Sequence, residues 1–184
     1  RLALSELDVA SPDSISQWAS SGDLGGLGHV DVLINNAGVY GERRSLLEVT
    51  EGDMLHCFRT NTVGPLLVVQ ALLRQGLLGR PGGPSLVGNV SSKVGSVADN
   101  GSGGGYAYRA SKSAVNIVSK SMSIDLADRG VEVALLHPGW VRTDMTGGNG
   151  LIDADESVAG MLGILETPDM NGRWFDYKRE EIPW

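Results

Sequence analysis

Short apolar runs bounded by glycine or polar turns alternate along this chain with longer stretches whose apolar positions recur every three to four residues. That alternation is the pattern of strands covered on both faces and joined by amphipathic helices, as in β-α-β units around a parallel sheet. The apolar runs predict strands over residues 2–9, 30–35, 85–90, 131–137 and 173–177. A first helix is predicted from Ser11 as N-cap, with Pro12 at the first position where a missing N–H costs nothing, to about Ser21. A second opens at Thr50, with Asp53 placed to complete a capping box, and its apolar positions run past Asn61 to Leu78. Pro65 interrupts it and removes the donor that would satisfy the Asn61 carbonyl four residues earlier. A third helix is predicted over residues 106–128, stopped by Gly130 as a left-handed cap. The glycine-rich stretch 98–105 reads as a mobile surface loop, and no internal repeat is visible.

With 184 residues, 41% apolar and 20% charged, the chain has the size and composition of one soluble domain, spanning residues 1–184. Fifteen basic against 22 acidic residues give a formal charge of -7, and the longest basic run is the pair Arg43–Arg44, so no nucleic-acid footprint is expected. Cys57 is the single cysteine; it excludes an internal disulfide and a cysteine-rich zinc site, and its helical setting marks it as core. The three histidines are scattered without metal-ligand spacing, so no metal is expected. No apolar stretch approaches the ~20 residues of a membrane span, and no signal peptide is visible, which makes a soluble cytoplasmic or organellar location the expectation.

The candidate chemistry lies in "GGGYAYRASKSAVN", residues 103–116. Four residues apart on a helix, Tyr108 and Lys112 share a face, while Tyr106 points elsewhere. A free phenol titrates near ~10, and a neighbouring ammonium is expected to favour phenolate and bring it toward the working range of an acid/base catalyst. Three predicted strands end in polar loops at the same edge: "LINNAGVYG" near Asn35, "NVSS" at Ser91 and Ser92, and "LLHPGWVRTDM" with Pro138, Gly139 and Thr143. Strand carboxyl ends are where open α/β sheets hold their ligands.

Taken with Asn61 in "NTVGPL" and "YRASK" at 108–112, these motifs, in order and spacing, resemble the classical short-chain dehydrogenase/reductase family, and within it the sniffer-like carbonyl reductase and C-signal branch. The resemblance implies a Rossmann-like doubly wound parallel sheet and an NAD(P)-dependent oxidoreductase that moves hydride between nicotinamide and a carbonyl or alcohol, most nearly an NADPH-dependent carbonyl reductase. It implies that Tyr108 transfers the proton, that Lys112 lowers its pKa and holds the nicotinamide ribose, that Ser92 bonds the substrate oxygen, and that the Asn61 main-chain carbonyl holds a water linked to Lys112. It assigns Asp8 and Val9 to the adenine, Asn35, Ala37 and Gly38 to the ribose wall, and Pro138, Gly139, Val141 and Thr143 to the nicotinamide pocket, with NADP (or NAD) as cofactor and a homodimer as assembly.

The family pattern also calls for an opening strand, a glycine-rich TGxxxGxG turn, a helix and a second strand, an N-terminal β-α-β unit that does not occur in this sequence. The chain opens where a third strand is expected, and about 40–60 upstream residues are the expectation that follows. After Met145, "TGGNGLIDADESVAG" reads as a lid over substrate or as a simple loop. Two further readings stay open: a catalytically silent member acting as an interaction or regulatory subunit of a larger assembly, and a signalling factor whose effect comes from cofactor binding.

Overall fold

The computed structural model describes every residue except 1, 22, 23, 25, 43, 44 and 80–83, so Arg43 and Arg44 lie outside the described residues. Four strands, β1 (Val32–Asn35), β2 (Ser85–Val90), β3 (Val131–His137) and β4 (Trp174–Asp176), form one sheet in that order, and every pairing is parallel. Helix α1 (Pro12–Ser20) precedes β1, and the connections carry α2 (Glu51–Phe58), α3 (Gly64–Arg74), α4 (Tyr106–Asp125) and α5 (Ala154–Leu165). Parallel neighbours need such crossovers, and their helices cover the sheet.

The predicted α/β class therefore holds, and the start signals act as expected. Ser11 caps α1 by accepting from the Ser14 N–H, and Thr50 and Asp53 form the reciprocal capping box of α2. Gly130 stops the third helical segment with φ of +70°, after a last 3₁₀ turn over Ala127–Arg129. Pro65 does more than interrupt its helix. Ahead of it the chain widens into a π turn over Arg59–Val63, in which the Gly64 N–H bonds the Arg59 carbonyl five residues back.

The predicted strand over residues 2–9 is not formed. Residues 2–8 carry no ladder and are largely exposed, Leu2 and Leu4 at 84% and 89%. A strand exists by pairing, and among the described residues nothing lies beside β1 to receive one. The same open edge leaves Val32 and Ile34 of β1 partly exposed, unlike the buried β2 and β3. Val9 nevertheless stays packed: its carbonyl sits 2.6 Å from where a Cβ of Gly64 would stand, so that glycine lets the chain cross the start of α3. Strand β4 is shorter than predicted because the Asp176 carboxylate accepts the Lys178 and Glu180 N–H groups and turns the chain. The segment after Met145 departs further. Its second half is the helix α5, capped by Asp153 and packed through Ile164 and Leu165 against the sheet.

Side chains alternate across the sheet, so the register sets its two faces. Gly88, Leu136 and Phe175 lie on the α5 side, while Asn35, Asn89, Leu135 and Trp174 form a row on the other. Along that row Asn35 donates to Asn89 Oδ1 at 2.8 Å, and Asn89 donates to Ser119 Oγ of α4 at 2.8 Å. The main core joins Val87, Val131 and Val133 of the sheet to Val68, Val69 and Leu72 of α3, Ile15 of α1 and Met122 of α4. Among the described residues no helix is long and apolar enough to cross a membrane.

Candidate active site

Helix α4 packs on β3 and meets the carboxyl end of β2, where it delivers the candidate pair. Tyr108 and Lys112 are both buried, whereas Tyr106 is 37% exposed, as the helical spacing requires. Lys112 Nζ donates to the Val90 carbonyl at the end of β2 at 2.8 Å and stands 5.6 Å from the Tyr108 ring centroid. Ser92, two residues beyond Val90, forms a side-chain hydrogen bond with Tyr108. The turn carrying Ser92 is pressed onto α4: a Cβ on Gly95 would fall 2.8 Å from both the backbone carbon and the Cβ of Lys112. Ser91 is fully used inside, donating to Asn116 Oδ1 of α4 at 2.6 Å.

Asn61 joins the group through its side chain, a role the sequence analysis does not contain. Its Oδ1 accepts the Val39 N–H at 2.8 Å, and its Nδ2 donates to the Val39 carbonyl at 2.8 Å and to Ser111 Oγ at 2.9 Å. One buried amide thus pins the loop after β1 to α4. Thr62 Oγ1 adds a bond to the Ser111 carbonyl at 2.8 Å, so the π turn before Pro65 is what aims both side chains at α4.

The electrostatics differ in sign from the sequence-based expectation for the phenol. Burial pushes the Tyr108 pKa up to about 12; the Ser92 hydrogen bond pulls it back, while Tyr40 and Cys57 raise it further. Burial likewise drives Lys112 down to about 8, with Cys57 opposing. In α2, burial pushes the Cys57 thiol up; the side chain is fully buried, with Sγ 3.8 Å from the Val39 carbonyl. His137, at the end of β3, is held neutral by burial with a pKa of about 4.

The remaining predicted residues divide. Gly38 lies beside the pair, its missing Cβ leaving bare backbone 3.3 Å from Asn61 Oδ1 and 3.6 Å from Lys112 Nζ. Gly139, at φ of +85°, takes a path no side chain permits, with Ile152 and the Tyr177 ring within 2.9 Å of a Cβ there. Pro138 accepts Ser157 Oγ, Val141 pairs with Ile152, and Thr143 caps the 3₁₀ turn Asp144–Thr146. Asn35 is committed to Asn89. Asp8 and Val9 stand at the entrance to α1 and against the start of α3, and among the described residues no hydrogen bond joins them to Tyr108, Lys112 or Ser92.

Sequence reasoning also missed Tyr40. Its ring stacks on that of Tyr108, centroids 4.3 Å apart and planes 23° from parallel. The signal was its place in "NNAGVYG", two residues after Gly38 on a loop already expected to meet a ligand. Beside it opens a cavity of about 680 Å³ lined by Val39, Tyr40, Glu42, His56 and Met145 among others. Tyr40 thus stands between the buried phenol and a space large enough for a small organic molecule.

Comparison with known proteins agrees with this arrangement. Residues 1–151 match the model of the family described as short chain dehydrogenase. C-signal of Myxococcus xanthus is 48% identical over 162 residues, 85% of this chain and 94% of that protein. Among solved structures, the NADPH-bound carbonyl reductase from chicken fatty liver superposes with a TM-score of 0.87 at 33% identity, over 100% of this chain and 77% of the other. The carbonyl reductase Sniffer of D. melanogaster gives 0.88 at 30%, over 98% and 77%. With its parallel sheet, its Tyr108–Lys112 helix and a family match over most of its length, the chain belongs to the short-chain dehydrogenase family of oxidoreductases.

Proposed function

We propose that this chain works as an NAD(P)-dependent oxidoreductase on a carbonyl/alcohol pair, with NADPH-driven carbonyl reduction as its main direction. The observation that carries this reading is the buried Tyr108 phenol, hydrogen-bonded to Ser92 one helical turn ahead of Lys112. A phenol held at about 12 is protonated at neutral pH, so it serves as an acid, the role that reduction requires. Two similar structures, a carbonyl reductase bound to NADPH and the carbonyl reductase Sniffer, support the same direction.

The residues fit a nicotinamide ribose. An ammonium has three donors, and Val90 takes one of those on Lys112, which leaves donors for a diol; Gly38 presents bare backbone beside them. Lys112 would hold that ribose through its remaining donors, with Tyr108 beside it, and Pro138, Gly139, Val141 and Thr143 would flank the nicotinamide. The cofactor supplies the hydride. Ser92 orients the carbonyl oxygen by hydrogen bonding, Tyr108 donates its proton to that oxygen, and the Lys112 ammonium stabilises the phenolate left behind. Asn61, Thr62 and Ser91 keep α4 seated while this happens.

NADPH oxidation with a panel of aldehydes and ketones tests the reading. Turnover is expected, with a rate that falls as pH rises through about 8, where Lys112 loses its proton. Lys112→Arg, which stays charged, should move that limb upward. Cofactor binding without oxidation of NADPH by any carbonyl would instead favour a signalling or silent interaction role, for which the likeness to C-signal speaks. The same reading includes a homodimer through α2 and α4, whose outer faces expose Leu55, Phe58, Ile117 and Ile124; light scattering at micromolar concentration should return twice the chain mass.

A further inference from the structure

Tyr108 is anchored at its oxygen by Ser92, but one hydrogen bond leaves a phenol ring free to pivot about its long axis and swing with χ1. The flat face of the ring is held by Tyr40, stacked at 4.3 Å. Tyr40 is itself fixed from several directions. The residue before it, Val39, has both its N–H and its carbonyl bound by the buried Asn61 amide. After it, Gly41 turns at φ of +79°, where a side chain would press on Cys57 Sγ at 3.1 Å. The Tyr40 hydroxyl reaches the head of α4, 3.6 Å from the position of a Cβ on Gly105. The ring thus spans from the loop after β1 to the start of α4, across the face of Tyr108, and its outer side lines the cavity.

We infer that Tyr40 is a positioning residue for the proton-transfer step: its stacked ring limits the swing of the Tyr108 ring and so keeps the phenol oxygen toward Ser92. The inference rests on the oxidoreductase reading above. An offset aromatic pair at this spacing is worth enough to change how often the reactive orientation is populated by about tenfold. Because Tyr40 acts through Tyr108, its loss slows proton delivery without loosening the groups that hold the cofactor.

The test compares wild type, Tyr40→Phe, Tyr40→Leu and Tyr108→Phe in steady-state NADPH oxidation, with the solvent deuterium isotope effect on kcat and the KM for NADPH. Tyr40→Leu is expected to lose about tenfold in kcat, with an unchanged NADPH KM and a larger isotope effect as proton transfer becomes limiting. Tyr40→Phe, which keeps the stack, should recover most of that loss. Where Tyr40→Leu gives no cooperative thermal transition, Tyr40→Met supplies the equally bulky, non-planar replacement and is judged by the same values. Wild-type kcat and isotope effect in the non-aromatic variant would overturn the inference, as would a Tyr40→Phe enzyme no faster than Tyr40→Leu. If Tyr108→Phe is inactive while Tyr40→Leu is fully active, the Tyr40 role alone falls. If Tyr108→Phe keeps full turnover, or wild type shows none, the oxidoreductase reading falls with it.

Discussion

Tyr108→Phe should lower kcat for carbonyl reduction by about 10²- to 10⁴-fold, the range typical of losing a positioned acid. The substitution removes one oxygen and nothing else of the ring. The stack on Tyr40 survives, Lys112 keeps its bond to Val90, and the helix keeps its seat on the Gly95 turn. Affinity for NADPH, followed by fluorescence titration, should therefore stay close to wild type while turnover collapses. A variant retaining more than about a tenth of the wild-type rate would remove Tyr108 from proton transfer. The burial that raises its pKa sharpens the expectation: at neutral pH the phenol is a donor.

Asn61→Leu is the second large effect, and it acts on stability. The leucine has the same branched skeleton with bulkier methyl ends, so no cavity opens, but three polar groups, two part-buried and one buried, lose the amide: the N–H and carbonyl of Val39 and the hydroxyl of Ser111. Each unsatisfied group costs about 1–3 kcal/mol. Ser111 retains the Tyr108 carbonyl as an acceptor, which spares part of its share. A total loss of about 3–5 kcal/mol is expected in urea unfolding, a large fraction of the 5–15 kcal/mol typical of a domain. The loop bearing Val39 and Tyr40 should loosen with it, so residual folded protein should also be slow. An Asn61→Leu protein as stable as wild type would mean that the Val39 loop is held by other contacts.

The parts of this molecule that were legible in the sequence are those governed by local rules. Helix starts at Ser11 and Thr50, the stop at Gly130 and the shared face of Tyr108 and Lys112 follow from hydrogen-bonding chemistry within a few residues, and they stand in the structure as expected. The apolar runs at 85–90 and 131–137 are strands because both have neighbours to pair with. The run at 2–9 has the same composition and no such neighbour, so its propensity goes unrealised. Helix α5 was hidden for the opposite reason: the glycine-rich stretch 146–160 that leads into it reads as a lid or a loop, yet Gly160 and Gly163 are where the helix meets the Tyr177 carbonyl and the Arg179 guanidinium. The phenol pKa was misjudged because spacing reveals a nearby ammonium but not how much water burial removes. Tyr40 and the Asn61 amide were invisible as partners, since contacts 22 to 68 residues apart leave no periodic trace.

The contact at Gly95 has a consequence for how such a protein diversifies. Because the Ser92 turn rests directly on the main chain of Lys112, the spacing among hydroxyl, phenol and ammonium is dictated by backbone against backbone. The walls of the neighbouring cavity come from elsewhere: Glu42 and His56 from the loop and helix beyond β1, Met145 from the turn beyond β3. Those side chains can be exchanged without touching the turn that sets the reacting distances. On the proposed reading, substrate preference and proton delivery are thereby mechanically uncoupled: the chamber can be altered while the spacing of phenol, hydroxyl and ammonium stays as it is.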